Sequence, residues 1–262
     1  MHKICVFSPN RYSLYSTTVT EMFVRKGVEV QSIYVRNLIN PERFRGELRR
    51  DGSRLIKKIW KKLVLREAGY LKLNDIRTFR EELRITISDV FDFTKDKGIP
   101  VVRCKDLNDQ VVVDDLKKLK PDLIVFTGGG LIRQNVLENS GRGVVNCHMG
   151  VLPYYRGMDV VEWPILEDAL DKVGITVHFM DKGVDTGDIL RVVKIPPKKG
   201  ESIKSLRDRI EPIMCQTTVD TCIDYLDGKI KRIPQQQKDG KQYFKMHPIL
   251  LDLAKNRNPK II

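Results

Sequence analysis

Residues 122–132 read DLIVFTGGGLI, and this stretch constrains the chain more than any other. Leu123-Ile124-Val125-Phe126 is apolar at every position, so both faces of the strand it forms must be covered. A central strand of a parallel sheet, with helices on each side, meets that demand; a half-exposed hairpin strand would alternate. The glycines that follow let a ligand approach the backbone closely, and in open α/β sheets ligands bind at the carboxyl ends of strands. The stretch therefore predicts a buried parallel strand ending in a binding loop.

The flanking patterns agree. Strand patterns at 3–8 and 28–35 enclose a helical one near 17–25, a βαβ opening. The turn between them, SPNRY at 8–12, has neither the GxGxxG of a dinucleotide fold nor the GxxxxGK[ST] of a P-loop, so neither NAD nor ATP is indicated. Beyond it the chain reads as a helix over 78–97, a short strand at 98–102 and a helix over 112–119. A strand at 144–147 and a helix through 159–170 come next. Strands at 174–180 and 189–195, joined by the polar turn 181–187, read as an antiparallel pair. A long helical face runs from 201 to 226, and the tail from 229 amounts to about one small hairpin. The expected fold is α/β, Rossmann-like, with a mostly parallel twisted sheet and a small C-terminal helical and hairpin extension. Residues 1–198 are expected to form the main domain, with a basic helical insert at about 40–75, and 199–262 the C-terminal helix and short tail.

A chain of 262 residues is long enough to bury a sizeable core, and 41% hydrophobic with 31% charged residues is a soluble globular composition. No apolar run approaches the roughly 20 residues that cross a bilayer, and MHKICVFSPN lacks the organisation of a signal peptide. Cys5, Cys104, Cys147, Cys215 and Cys222 are scattered and never in CxxC spacing, which argues against a zinc site and a disulfide framework and for a reducing cytoplasm. The net charge of +13 is concentrated: residues 36–66 hold eleven Lys or Arg against Glu42, Glu47 and Asp51. Such a surface expects an anionic partner, whether a phosphate-bearing small molecule, nucleic acid or an acidic lipid surface. Within it, residues 54–66 read as a basic amphipathic helix, suited to packing on the domain, peripheral membrane contact or gripping phosphates.

Three polar side chains carry the chemistry. Asn146 and His148 are two apart on a strand and share a face, whereas Cys147 points the other way, into the core. Asp185 lies in the turn between the last two strands. An amide and an imidazole beside a carboxylate suit acyl transfer to an amine: a donor stabilises the developing oxyanion while a tuned histidine moves the amine proton. His178, inside a strand, reads as a packed, hydrogen-bonded histidine.

NCHMGVLPYYRG at 146–157 resembles the Asn-x-His-x-x-x-Leu-Pro-x-x-x-Gly segment of the folate-dependent formyltransferases. GITVHFMDKGVDTGDIL resembles the strand, turn and strand that supply their aspartate, and DLIVFTGGGLIRQNVL their cofactor loop. The match in kind and order runs from about 98 to 196. The resemblance implies catalytic Asn146, His148 and Asp185, and 10-formyltetrahydrofolate as donor to a primary amine. It implies donor contacts at Gly129, Leu131, Ile132, Asp181 and Val184, and no metal. It further implies that Asn146 and His148 polarise the formyl oxygen while His148 and Asp185 handle the amine proton. Arg156 and Trp163 are the candidates for binding the acceptor.

Relatives formylate glycinamide ribonucleotide, the methionyl group on initiator tRNA, or amino sugars on nucleotides or lipid carriers. SPNRYSLYS does not resemble the Gly-Ser-rich phosphate loop of the first class, and Met149-Gly150 departs from the Pro-Ser common to the first two. Only about 65 residues follow the catalytic region, where the tRNA enzymes carry a β-barrel domain. The expected acceptor is therefore a nucleotide- or lipid-linked amino-deoxysugar, with the tRNA and ribonucleotide enzymes, or a non-catalytic folate- or nucleic-acid-binding relative, as alternatives. The helix from 201 is a candidate homodimer face.

Overall fold

The computed structural model describes residues 1–37 and 75–257. The insert at about 40–75 and the basic helix 54–66 lie outside the described residues. The chain begins with β1 (Lys3–Ser8), α1 (Leu14–Arg25) and β2 (Glu29–Arg36), then α2 (Asp75–Glu82), α3 (Val90–Lys97) and β3 (Val101–Cys104). The middle of the chain runs through α4 (Gln110–Leu119), β4 (Leu123–Phe126), α5 (Gln134–Leu137), β5 (Val144–His148), β6 (Tyr155–Gly157) and α6 (Glu162–Leu166). The last elements are β7 (Gly174–Phe179), β8 (Ile189–Lys194), α7 (Ile203–Leu226), β9 (Lys241–Tyr243) and α8 (Pro248–Arg257).

The main sheet has seven strands in the order β3-β2-β1-β4-β5-β7-β8. The pairs from β3 to β5 are parallel, and β7 and β8 join antiparallel. Strand parity divides the side chains between two cores. Ile4, Val6, Leu123, Val125, Val145 and Cys147 face a core shared with α1, α2 and α7. Cys5, Phe7, Ile124, Phe126 and Val144 face one shared with α4. That two-sided burial is the reason Ile4 to Phe7 of β1 and the whole of β4 are apolar.

Several elements depart from expectation. The helix over 78–97 is two helices, because Asp89 leaves the helical path and caps α3, its carboxylate accepting from Phe91 N–H at 2.9 Å. The helix through 159–170 is only α6, which follows Asp159 in a left-handed conformation, φ 53°. The tail does not close on itself as a hairpin: β9 pairs parallel with β6, and a helix, α8, follows. Residue 199 is no packing boundary, since Leu206, Ile210, Cys215, Val219 and Cys222 of α7 are fully buried in the core of the sheet. The apolar face of α7 is thereby spent inside the molecule rather than offered to a second copy.

Candidate active site

β5 ends at the middle of the sheet with Val144, Asn146 and His148 on one side. Cys147, on the other, is buried, and its thiol is pushed up to about 12 by burial, so it stays protonated and inert. β7 runs antiparallel beside β5 and sets His178 opposite Asn146, and Thr176 opposite His148. The Thr176 hydroxyl accepts from Leu152 N–H at 3.0 Å and donates to Gly150 C=O at 2.8 Å, which fixes the bend after His148.

His148 is 7% exposed. Its Nε2 lies 2.9 Å from the carbonyl of Tyr155, the first residue of β6. A carbonyl only accepts, so Nε2 carries the proton and Nδ1 is the basic atom of the neutral ring. Nδ1 faces Asp185 Oδ2 at 3.5 Å. Burial lowers the His148 pKa below its ordinary value, opposed by the Asp185 charge.

Asp185, at φ 53°, brings its carboxylate against three groups. Oδ2 accepts from Gly157 N–H at 2.9 Å and faces His148; Oδ1 lies 3.5 Å from His178 Nε2. Burial alone would raise its pKa, but its interactions with the His178 and His148 imidazoles and with Gly157 N–H together bring it down to about 2. The 3.5 Å separations exceed a direct hydrogen bond, and catalytic contacts of this kind tighten when substrate is engaged.

His178 is 1% exposed, and its Nδ1 donates to Phe179 C=O at 2.7 Å. Nε2 is then an acceptor and takes an N–H from the half-buried Asn146 carboxamide at 3.3 Å. That bond orients Asn146 and leaves its second N–H for a developing oxyanion. The four side chains make a site that accepts one proton at His148 Nδ1 and presents one amide donor.

The residues expected to contact the donor lie in the loop after β4 and in the turn after β7. Gly128, Gly129 and Gly130 all have φ above +100°, a region closed to other residues, so the loop after β4 depends on them. The Gly129 carbonyl accepts from the Arg36 guanidinium at the end of β2. Leu131 and the buried Ile132 line a hollow of about 410 Å³ together with Asn108, Gln134 and Lys182. A second hollow of about 630 Å³, also lined by Gln134 and Lys182, runs from Arg142 to Met180 and Asp181. Asn146, His148 and Asp185 line neither hollow.

The formyl transferase family model matches residues 77–220, more than half of the chain. The chain belongs to the formyl transferase family. A methionyl-tRNA formyltransferase of Caldanaerobacter subterraneus is 30% identical over 159 residues, 60% of this chain and 50% of that protein. One from Geobacter sulfurreducens is 34% identical over 142 residues, 54% and 44%. The chain spans about half the length of these relatives. Among solved structures, an N-formyltransferase from Helicobacter canadensis, in complex with folinic acid and dTDP-3-aminofucose, shares the fold at a TM-score of 0.59 and 12% identity, covering 99% of this chain and 81% of that one. Glycinamide ribonucleotide transformylase 1 from Symbiobacterium toebii does so at 0.58 and 16%, covering 90% and 95%.

In this family member strand parity puts Asn146 and His148 on one face, and the turn after β7 brings Asp185 to His148. Asp181 closes its own turn, accepting from Gly183 N–H and Thr186 Oγ1 at 2.9 and 2.7 Å, and it also borders the larger hollow. Val184 is half-buried in that turn, and neither it nor Gly129 is among the residues lining these two hollows. Arg156 is 4% exposed and its Nη2 donates to Gln236 C=O at 2.9 Å. The Trp163 indole N–H donates to Phe244 C=O at 3.0 Å, its ring against Tyr243. Both side chains thus hold the tail. His178 is packed and hydrogen-bonded as its place in the strand implied, but its partner Asn146 is set by strand register, which spacing does not reveal.

Proposed function

We propose that this chain transfers a formyl group from 10-formyltetrahydrofolate to a primary amine. The observation that carries the reading is the convergence of Asn146, His148 and Asp185, with His148 protonated on Nε2 and basic at Nδ1 beside the carboxylate. The amine would attack the formyl carbon while Asn146 steadies the oxyanion, the amine proton would pass to His148 Nδ1 with Asp185 stabilising the imidazolium, and collapse of the intermediate would break the bond from the formyl carbon to N10, which takes up that proton and leaves as tetrahydrofolate. The geometry supports a division of labour: the His148 N–H is committed to Tyr155, so oxygen polarisation rests first on Asn146. Leu131, Ile132 and Met180 supply apolar walls for a pteridine, and the hollows have the size of small-molecule sites.

The favoured acceptor is an amino sugar carried on a nucleotide or lipid. Support comes from the start of α1, where a ribonucleotide phosphate would otherwise be cradled: Ser13 Oγ already takes Ser16 N–H, and Ser16 Oγ bonds Thr127 Oγ1 at 2.6 Å. The second reading, a methionyl-tRNA acceptor, is supported by the relatives at 30–34% identity and by the +13 charge. Five buried free thiols suit a cytoplasmic setting. The test follows 10-formyltetrahydrofolate consumption with amino-deoxysugar nucleotides, glycinamide ribonucleotide and charged initiator tRNA, wild type beside His148→Ala and Asp185→Ala. Turnover on the sugar nucleotides, lost in both variants, is expected. Turnover only on tRNA would replace the sugar reading, and failure to bind the donor would end the formyl-transfer reading.

A further inference from the structure

The segment from Ile233 to Met246 lies beyond residues 77–220 that match the family, yet it is bonded to the catalytic turn. Ile233 bridges to Ile189 at the start of β8. Two residues on, the Gln235 carboxamide Nε2 donates to Asp185 C=O at 3.2 Å and to Gly187 C=O. Its Oε1 faces Arg156 Nη2 at 3.4 Å. Arg156 adjoins Gly157, whose N–H holds the Asp185 carboxylate. The contacts close a ring: tail to the backbone of Asp185, the carboxylate of Asp185 to β6, and β6 back to the tail. Register reinforces it, with Arg156 paired to Gln242 and Gly157 to Tyr243.

We propose that Gln235 is a positioning residue, whose carboxamide holds the Asp185–Gly187 turn and thereby sets the Asp185 carboxylate against His148 Nδ1. The proposal rests on the formyl-transfer reading for its effect on turnover. Asp181 closes the turn from within, but its bonds end at Gly183 and Thr186. Asp185 sits in a left-handed conformation that a non-glycine residue adopts only when its surroundings enforce it. The carbonyl on that same residue is what Gln235 grips. The charged and titratable groups packed round the turn are His148, His178, Arg156 and, on the turn itself, Asp181 and Lys182; Gln235 adds no charge to them.

The test compares the full chain with Gln235→Ala and Gln235→Met, the second keeping most of the side-chain volume without an N–H. Three quantities are read: the pH profile of kcat/KM with 10-formyltetrahydrofolate, the titration of His148 by NMR, and the melting temperature. The Asp185 charge raises the His148 pKa, so loosening Asp185 must lower it. In both variants His148 is expected to titrate at lower pH, the acid limb of kcat/KM to move the same way, and the maximum to fall tenfold or more, toward the roughly hundredfold that about 1 Å of misplacement costs. A purely structural role predicts instead that Gln235→Met restores both stability and titration. An unmoved His148 titration in both variants would overturn the proposal, whatever their melting temperatures. The titration needs no substrate, so a His148 shifted in both variants beside a wild type without turnover would sink the formyl-transfer reading and leave the positioning role standing.

Discussion

Asp185 meets His148 at Nδ1, 3.5 Å away, because the opposite nitrogen of the ring is held by the Tyr155 carbonyl at 2.9 Å. That relationship fixes the tautomer and names the atom that takes the proton. His148→Gln and Asp185→Asn should each lower kcat/KM by about 10²–10⁴, the usual contribution of positioned acid–base catalysis. The two act on one proton, so the double variant should be little worse than the worse single one. Fully additive losses would show that they serve separate steps.

Activity should persist below the ordinary histidine range. Burial depresses the His148 pKa from 6.5, so its basic form survives to lower pH and the acid limb of kcat/KM should lie under 6.5. Asp185→Asn removes the charge that raises this pKa, and the limb should move further down. A limb moving up in that variant would contradict the assignment.

The same groups set acid stability. Asp185 is depressed from 3.8 to about 2, so its contribution is complete above 3.8 and lost as pH falls through about 2. His148 is depressed as well, so its contribution is complete above 6.5 and lost as pH falls through its lower folded value. Thermal melts across pH should show the upper part of this fall flattened in His148→Gln.

His178→Ala should cost about tenfold in kcat/KM by releasing the Asn146 carboxamide, about 1.4 kcal/mol of barrier. His178→Gln, which can still accept from Asn146, should recover part of it. Equal losses in the two variants would mean that the orientation of Asn146 is not what His178 provides.

Gly150 leaves no room for a side chain: a Cβ there would sit 2.7 Å from His148 Nε2 and 2.9 Å from Val160 Cγ2. Gly150→Ala should therefore push the ring off Tyr155, destabilise the fold by about 1–3 kcal/mol and lower activity. Urea titration and turnover measured together check both parts.

Arg80 is 3% exposed and donates to the Thr17 and Thr18 hydroxyls at 2.7 and 2.8 Å and to Ile87 C=O at 2.7 Å. Arg80→Met should cost about 2–4 kcal/mol, since it removes charged hydrogen bonds to two buried hydroxyls and a half-buried carbonyl. An unchanged urea midpoint would show that these partners are satisfied without it.

The sequence by itself determined the parts whose cause is local. The unbroken apolar run of β4 required cover on both faces, strand parity separated Cys147 from Asn146 and His148, and the glycines after β4 marked its open end. Tertiary structure decided what depends on register between distant segments. Only the antiparallel pairing of β7 on β5 sets His178 against Asn146, and only the docking of β9 on β6 brings Gln235 to the Asp185 turn. It also tied Arg156 and Trp163 to the tail, because their donors reach Gln236 and Phe244, some 80 residues along the chain. Parity and periodicity describe one element at a time, whereas these contacts arise where separate elements satisfy each other's backbone groups, and no pattern within either element carries that information.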